Sequence, residues 1–230
     1  EDATPLPKRM AVVFSDVSEA RCICLGTGRF LRCVLVPAMH SLGARCVIGA
    51  ARGRTVIDML QKRGDGSYEV DIVGAGGVRT ERVEGVAAGY SLAEEEGREA
   101  FMKLPGVMRS VRYIGIGVTE AGVSPESRAM EYLSELLHVC CVAGQPSVCV
   151  ICTDNVSLVG ERLRSLVLES ALVSKLPQAD RDAFTTYLEG HVAIPNTMVD
   201  RITSHRQGDP TVPRTEELPA KALVLEDLRG

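Results

Sequence analysis

The sequence predicts an α/β domain built on a mostly parallel sheet with helices on both faces. Two observations predict it. Short apolar runs that suit buried strands, at residues 22–25, 45–48, 111–118 and 148–152, alternate with longer segments of helical periodicity. Each run also ends in glycine or small polar residues, as strand-to-helix turns do. Strands that alternate with helices pair in parallel and bury both faces of their sheet.

Composition sets the outer bounds. The 230 residues are 45% hydrophobic and 24% charged, an ordinary globular balance with ample material for one large core. A net charge of -4 argues against a nucleic-acid surface, which needs a basic patch. With no Trp and 4% aromatic residues, stacking platforms for single strands are not expected either. No run reaches the ~18 apolar residues of a membrane helix. Residues 1–19, starting acidic and proline-rich, read as a loose segment before a domain at 20–230.

Residues 20–32 read Ala-Arg-Cys-Ile-Cys-Leu-Gly-Thr-Gly-Arg-Phe-Leu-Arg, a strand broken sharply at Gly26 and Gly28. Strand, glycine turn and helix start together let a pyrophosphate approach the backbone at a helix N-terminus. The third glycine of the dinucleotide fingerprint is missing, with Leu31 at its spacing, and a glycine pair after a strand is more often an ordinary turn. Residues 29–42 should be helical, with Pro37 either kinking the helix or starting a second one. Gly43 closes it, and residues 45–48 complete a βαβ unit. This second strand runs into Ala50-Ala51-Arg52-Gly53-Arg54. A carboxylate here would hold an adenosine ribose, whereas an arginine accommodates a 2′-phosphate. Arg52 and Arg54 stand there, so NADP(H) is expected to bind at least as well as NAD(H). The alternative is that both arginines are solvated loop residues or only stack on the adenine.

Thr55 is placed to cap a helix at 55–62, followed by a turn at Gly64 and Gly66. Residues 67–73 alternate as a strand with one wet face and pair with residues 78–86 in a hairpin. Residues 93–104 read as a solvated helix, and the next strand ends at Thr119 and Glu120. A helix at 126–143 carries Met130, Leu133, Leu136, Leu137 and Cys140 on one face. The strand at 148–152 ends at Asp154 and Asn155. A long helix then runs through Leu163, Leu166, Val167 and Ala171, and Pro177 separates it from a helix at 179–189. Ligands of such sheets bind beyond the carboxyl ends of the strands. That rule gathers Gly26, Thr27, Gly28, Arg52, Thr119, Glu120, Asp154 and Asn155 along one edge. Any one of these ends is ordinarily a turn; together they favour a site.

Eight cysteines raise disulfide and metal readings, and neither is expected. Cys149 and Cys152 have zinc or redox spacing, but in a strand residues three apart point to opposite faces. No second CxxC or His pair completes a zinc site. Cys22, Cys24, Cys33, Cys46, Cys140 and Cys141 sit in apolar company as small core residues. Free buried thiols fit a reducing, cytosol-like compartment.

The stretch from Val192 to Thr203 contains Pro195-Asn196-Thr-Met-Val-Asp200-Arg201-Ile202-Thr203. It resembles the PNxMVDRIT signature of the mannitol dehydrogenase family, the long-chain polyol-specific dehydrogenases and reductases. Gly26-Thr27-Gly28-Arg29-Phe30-Leu-Arg32 resembles that family's GxGxFxR cofactor turn, and Val118-Thr-Glu-Ala-Gly122 its TEAG element. Thr153-Asp154-Asn155, followed by Gly160, resembles its CDN…NG segment, with Thr153 and Val159 departing from it. Leu223-Val-Leu-Glu-Asp227 resembles its VIED segment. Five motifs in family order cover about residues 20–230. The resemblance implies a Rossmann-like fold, NAD or NADP as cofactor, and a sugar alcohol or keto-sugar as substrate. Residues 54–83 are most similar to the tagaturonate-reductase branch. The resemblance also implies that Gly26, Thr27, Gly28, Arg29, Phe30, Thr119, Glu120, Asp154 and Asn155 serve the cofactor. Asn196 would polarise the reacting oxygen, as a neutral amide donor suits an oxygen gaining negative charge. Asp200 and Arg201 read as a structural ion pair or cap behind it. The family's catalytic Lys, Asn and His lie in a C-terminal helical domain, and nothing from Thr203 to Gly230, His205 and Lys221 included, has their spacing. Two expectations follow: a cofactor domain whose catalytic domain is missing, or a non-catalytic binding or structural subunit.

Overall fold

The structure is a computed structural model that describes residues 10–217 and 223–228. In chain order it begins with β1 (Ala11–Val13) and β2 (Cys22–Leu25). A π-helical turn, Leu31–Leu35, runs into α1 (Val36–Ser41), and β3 (Cys46–Ala50) and α2 (Thr55–Arg63) follow. Next come β4 (Tyr68–Gly74), β5 (Gly77–Val83), β6 (Val86–Ser91), α3 (Glu95–Met102), α4 (Leu104–Val107) and β7 (Tyr113–Ile116). The chain continues through α5 (Arg128–Val142), β8 (Val148–Cys152), α6 (Val159–Leu168), α7 (Ala171–Lys175), α8 (Gln178–His191) and β9 (Val192–Ala193). It finishes with β10 (Thr197–Val199), β11 (Thr203–Arg206), β12 (Asp209–Glu216) and β13 (Leu223–Leu225).

The central sheet has the order β1-β6-β3-β2-β7-β8-β9. All its neighbours from β6 to β9 are parallel, and only β1 runs antiparallel, against β6. All four residues of β2 are buried, because alternate side chains face two different cores. On one side Ile23 and Leu25 meet Phe101, Leu133, Leu137, Leu163 and Phe184. On the other, Cys22 and Cys24 meet Leu31, Leu35, Ile57, Leu60 and Tyr68. Helices therefore cover both faces, as the sequence predicts. The strand order reverses direction at β2, between β3 and β7, and this switch point opens a crevice at the strands' carboxyl ends.

Several expectations are corrected. Of the segment read as loose, residues 11–13 are a strand whose Val12 is 5% exposed; Glu1 to Pro7 and Lys221 lie outside the described residues. At Pro37 a first turn ends and a second helix begins, as one of the two readings has it: the π-helical turn stops at Leu35 and α1 opens at Val36 with Pro37 in its first turn. Its ring cannot donate to Cys33, and the preceding turn widens so that Val36 N–H bonds Leu31 O. Thr55 is the first helical residue of α2, not its cap; Arg54 occupies the cap without a side-chain bond. The long helix after β8 breaks, and Ser170 Oγ accepts from Val173 N to cap α7. Val86 begins a buried strand instead of ending the hairpin. The stretch after Thr203 is not merely polar loop: β11 and β12 join β4 and β5 in a second sheet of order β11-β12-β4-β5. On the polar face of β4, Glu69 and Val73 stay partly or fully exposed, but side chains from the neighbouring strands bury the residue between them. Asp71 is 2% exposed and bonds Arg206 at 2.6 Å, with Arg214 at 3.4 Å and Thr80 at 2.8 Å.

Candidate cofactor site

The site is built on the turn after β2. Gly26 has φ +115°, and a Cβ there would stand 3.2 Å from the Gly117 carbonyl oxygen at the end of β7. Its N–H donates to Gly49 O at 2.8 Å, so the turn is stitched to both neighbouring strands. Gly28 differs. No atom lies within 4 Å of its would-be Cβ, because that space belongs to a cavity of about 390 Å³. The helix starts here, with Arg32 N–H bonding Gly28 O.

Thr27, Gly28 and Arg29 of the turn line this cavity, together with Arg32, Ala50, Arg52, Gly53, Thr55, Val56, His205 and Pro210. None of these lining residues carries a carboxylate. Arg32 is 2% exposed and is held by carbonyl oxygens alone, with Nε donating to Thr27 O at 3.0 Å and a terminal nitrogen to Thr211 O. Burial pushes its pKa down, yet a guanidinium remains charged. No carboxylate makes a direct ion pair with it among the described residues, although Asp209 is near enough to favour its charge, and a buried cation without a direct partner is costly. An anion in the cavity would lower that cost further. Arg52, exposed at the rim, makes no hydrogen bond or ion pair among the described residues. Arg54 does not share this role: it is tied to Asp58 at 3.1 Å and Glu94 at 3.4 Å.

Of the residues expected to serve the cofactor, the cavity thus gathers Thr27, Gly28, Arg29 and Arg52. Gly26 shapes the turn beneath it, and Phe30 packs into the core beside Leu31. Thr119, Glu120, Asp154 and Asn155 stand at the ends of β7 and β8 and do not line it. Glu120 lies 3.6 Å from Arg162. Asn155 is a clamp, donating to Val199 O at 2.8 Å and accepting from Val199 N at 2.7 Å, so its amide fixes β10 to the end of β8. Asn196, on the loop between β9 and β10, accepts from Gly160 N at 3.0 Å through Oδ1 and donates its own N–H to Glu226 at 3.1 Å. Its Nδ2 has no hydrogen-bond partner among the described residues. Asp200 and Arg201 do not pair with each other; Arg201 bonds Glu216 O. Arg32, Thr55, His205 and Pro210 are cavity residues that sequence reasoning missed. Only Arg32 carried a signal, as the last position of the glycine turn.

The thiols take two arrangements. Cys149 and Cys152 pack against opposite cores, as their spacing in a strand requires. Cys22, Cys24 and Cys46 share one face of β2 and β3, with their sulfurs all within 4.8 Å of one another. All eight cysteines are free.

A parallel sheet that reverses at β2, with a glycine turn and a cation-lined cavity at the switch point, defines a Rossmann domain. The chain belongs to the mannitol dehydrogenase family: the family model described as the mannitol dehydrogenase Rossmann domain matches residues 20–221. Among solved structures it is similar to D-sorbitol dehydrogenase in substrate-free form, at TM-score 0.66 and 19% identity over 93% of this chain and 51% of that one. It is also similar to Pseudomonas fluorescens mannitol 2-dehydrogenase in a ternary complex with NAD and D-mannitol, at TM-score 0.69 and 19% identity over 94% of this chain and 51% of that one. The chain therefore spans about half the length of these structures. No curated protein sequence matches it.

Proposed function

We propose that this chain is the cofactor-binding part of an oxidoreductase that moves hydride between a nicotinamide dinucleotide and a sugar alcohol or the corresponding keto-sugar. The observation that carries the reading is the cavity at Gly28: an open glycine backbone, a helix start and a buried Arg32 without a carboxylate partner. Thr27, Gly28 and Arg29 would hold the pyrophosphate, with Arg32 supplying charge from below. The dinucleotide, when bound, supplies the hydride acceptor or donor. Asn196 supports the chemistry at the other end of the edge. Its Oδ1 is fixed by Gly160 N–H, which leaves the Nδ2 amide as a donor for the reacting oxygen.

The group that moves the alcohol proton is, in this reading, supplied from outside these 230 residues, by a second domain or a partner subunit. Glu226 beside Asn196 is engaged with its backbone, and His191 Nδ1 is bonded to Pro146 O. The free thiols support a reducing, cytoplasmic setting, and no helix among the described residues is long and apolar enough to cross a membrane. The test is turnover alongside binding. The chain should bind NAD(P)(H) yet oxidise mannitol, or reduce a keto-sugar acid, negligibly, since general acid–base catalysis alone is worth ~10²–10⁴-fold. Robust turnover would contradict the external proton-transfer group and direct attention to Glu120 and His205.

A further inference from the structure

We infer that the cavity selects a dinucleotide carrying a 2′-phosphate, NADP(H), and that Arg52 and His205 recognise that phosphate. The inference rests on the dinucleotide reading above and adds the choice between the two cofactors. The end of β3 lies where the adenosine ribose sits in a Rossmann domain. A site for an unphosphorylated ribose uses a carboxylate there to accept hydrogen bonds from the hydroxyls. Here the chain runs Ala50-Ala51-Arg52-Gly53-Arg54, and the next carboxylate in sequence, Asp58, is taken by Arg54. Arg54 also holds Glu94, so both nearby acids are neutralised and neither lines the cavity. Arg52 is left with an unengaged guanidinium, which suits bidentate contact with a phosphate.

The opposite wall comes from the second sheet. The β11–β12 hairpin brings His205 to the cavity, where its Nδ1 lies 3.2 Å from an Arg29 terminal nitrogen. A guanidinium can only donate, so in this contact Nδ1 accepts, and Nε2 is the ring nitrogen left to donate. His205 thus retains a donor for a phosphate oxygen. Between the walls, Thr55 and Val56 open the nine-residue helix α2, whose first intrahelical bond is Asp58 N–H to Arg54 O. Their N–H groups and the helix dipole add to the same positive field. Arg29, Arg32 and Arg52 bring three guanidiniums to a cavity without carboxylates. The pyrophosphate carries two negative charges and a 2′-phosphate adds between one and two more, which the third guanidinium and the N-terminus of α2 together oppose.

Calorimetric titration of the chain with NADPH and with NADH tests this. NADPH should bind at least ~10-fold more tightly, as charge-assisted phosphate contacts imply. Arg52→Ala should weaken NADPH at least ~10-fold more than NADH, and His205→Ala should do so in the same direction by a smaller factor. Arg52→Glu should reverse the preference. Circular dichroism of Arg52→Ala and Arg52→Glu should match the wild type, since Arg52 holds nothing else in place. NADH binding more tightly than NADPH, or an Arg52→Ala loss equal for both, overturns the selectivity while leaving the dinucleotide site intact. Binding of neither cofactor overturns the underlying reading as well.

Discussion

At Gly26 the backbone has φ +115°, where a side chain costs of order 1–3 kcal/mol, and the Gly117 carbonyl leaves little room for a Cβ. Gly28, two residues on, has neither constraint. We expect Gly26→Ala to lower the thermal midpoint by several degrees, whereas Gly28→Ala leaves it nearly unchanged. Equal midpoints would show that the turn is not stitched to β7 as described. The two glycines look alike in the sequence because φ at Gly26 is fixed by contacts with β3 and β7, not by its neighbours. The divergence of Cys149 and Cys152, in contrast, was legible, since strand periodicity alone decides it. The approach of Cys46 to Cys22 and Cys24 was not, because it depends on the register in which β2 pairs with β3.

Among the elements, the β11–β12 hairpin does most to complete the cavity, and it is held by a carboxylate. Asp71 of β4 is buried beneath Arg206 and Arg214, and hydrogen bonding from Arg206 holds its pKa well below the usual carboxylate range. A depressed folded pKa means stability that is fully present above the unfolded value near 3.9 and lost as the pH falls toward and through the folded value. The second sheet should therefore survive mild acid and loosen only in strong acid. Asp71→Asn should cost about 3 kcal/mol, the low end for breaking a buried pair because both guanidiniums are one-third exposed. It should also flatten the acid limb of the stability profile. A denaturant titration at pH 7 showing less than ~1 kcal/mol of loss would mean the pair is not what fastens the hairpin. The β4–β5 hairpin was legible from alternation, while β11 and β12 were hidden by Pro210, Pro213 and a run of polar residues. Arg206 meets Asp71 135 residues away in sequence, and β12 pairs with β4 across a similar distance, contacts that local sequence does not announce.

Across the whole molecule, alternating apolar runs and periodic segments made the parallel sheet legible, and the strand ends marked the edge that holds the crevice. They could not mark which ends converge. Thr119, Asp154 and Asn155 share that edge with Gly28, yet the cavity takes its second wall from the hairpin, 176 residues from Arg29. At that scale the central claim is that the cavity at Gly28 is a nicotinamide-dinucleotide site. Titrating NADH and NADPH into the wild type and Gly28→Val tests it most directly. The valine side chain enters open space, so the variant should melt with the wild type while its affinity for the preferred cofactor falls at least ~100-fold, about 2.7 kcal/mol. Equal affinities in wild type and variant would contradict the claim and place the dinucleotide elsewhere.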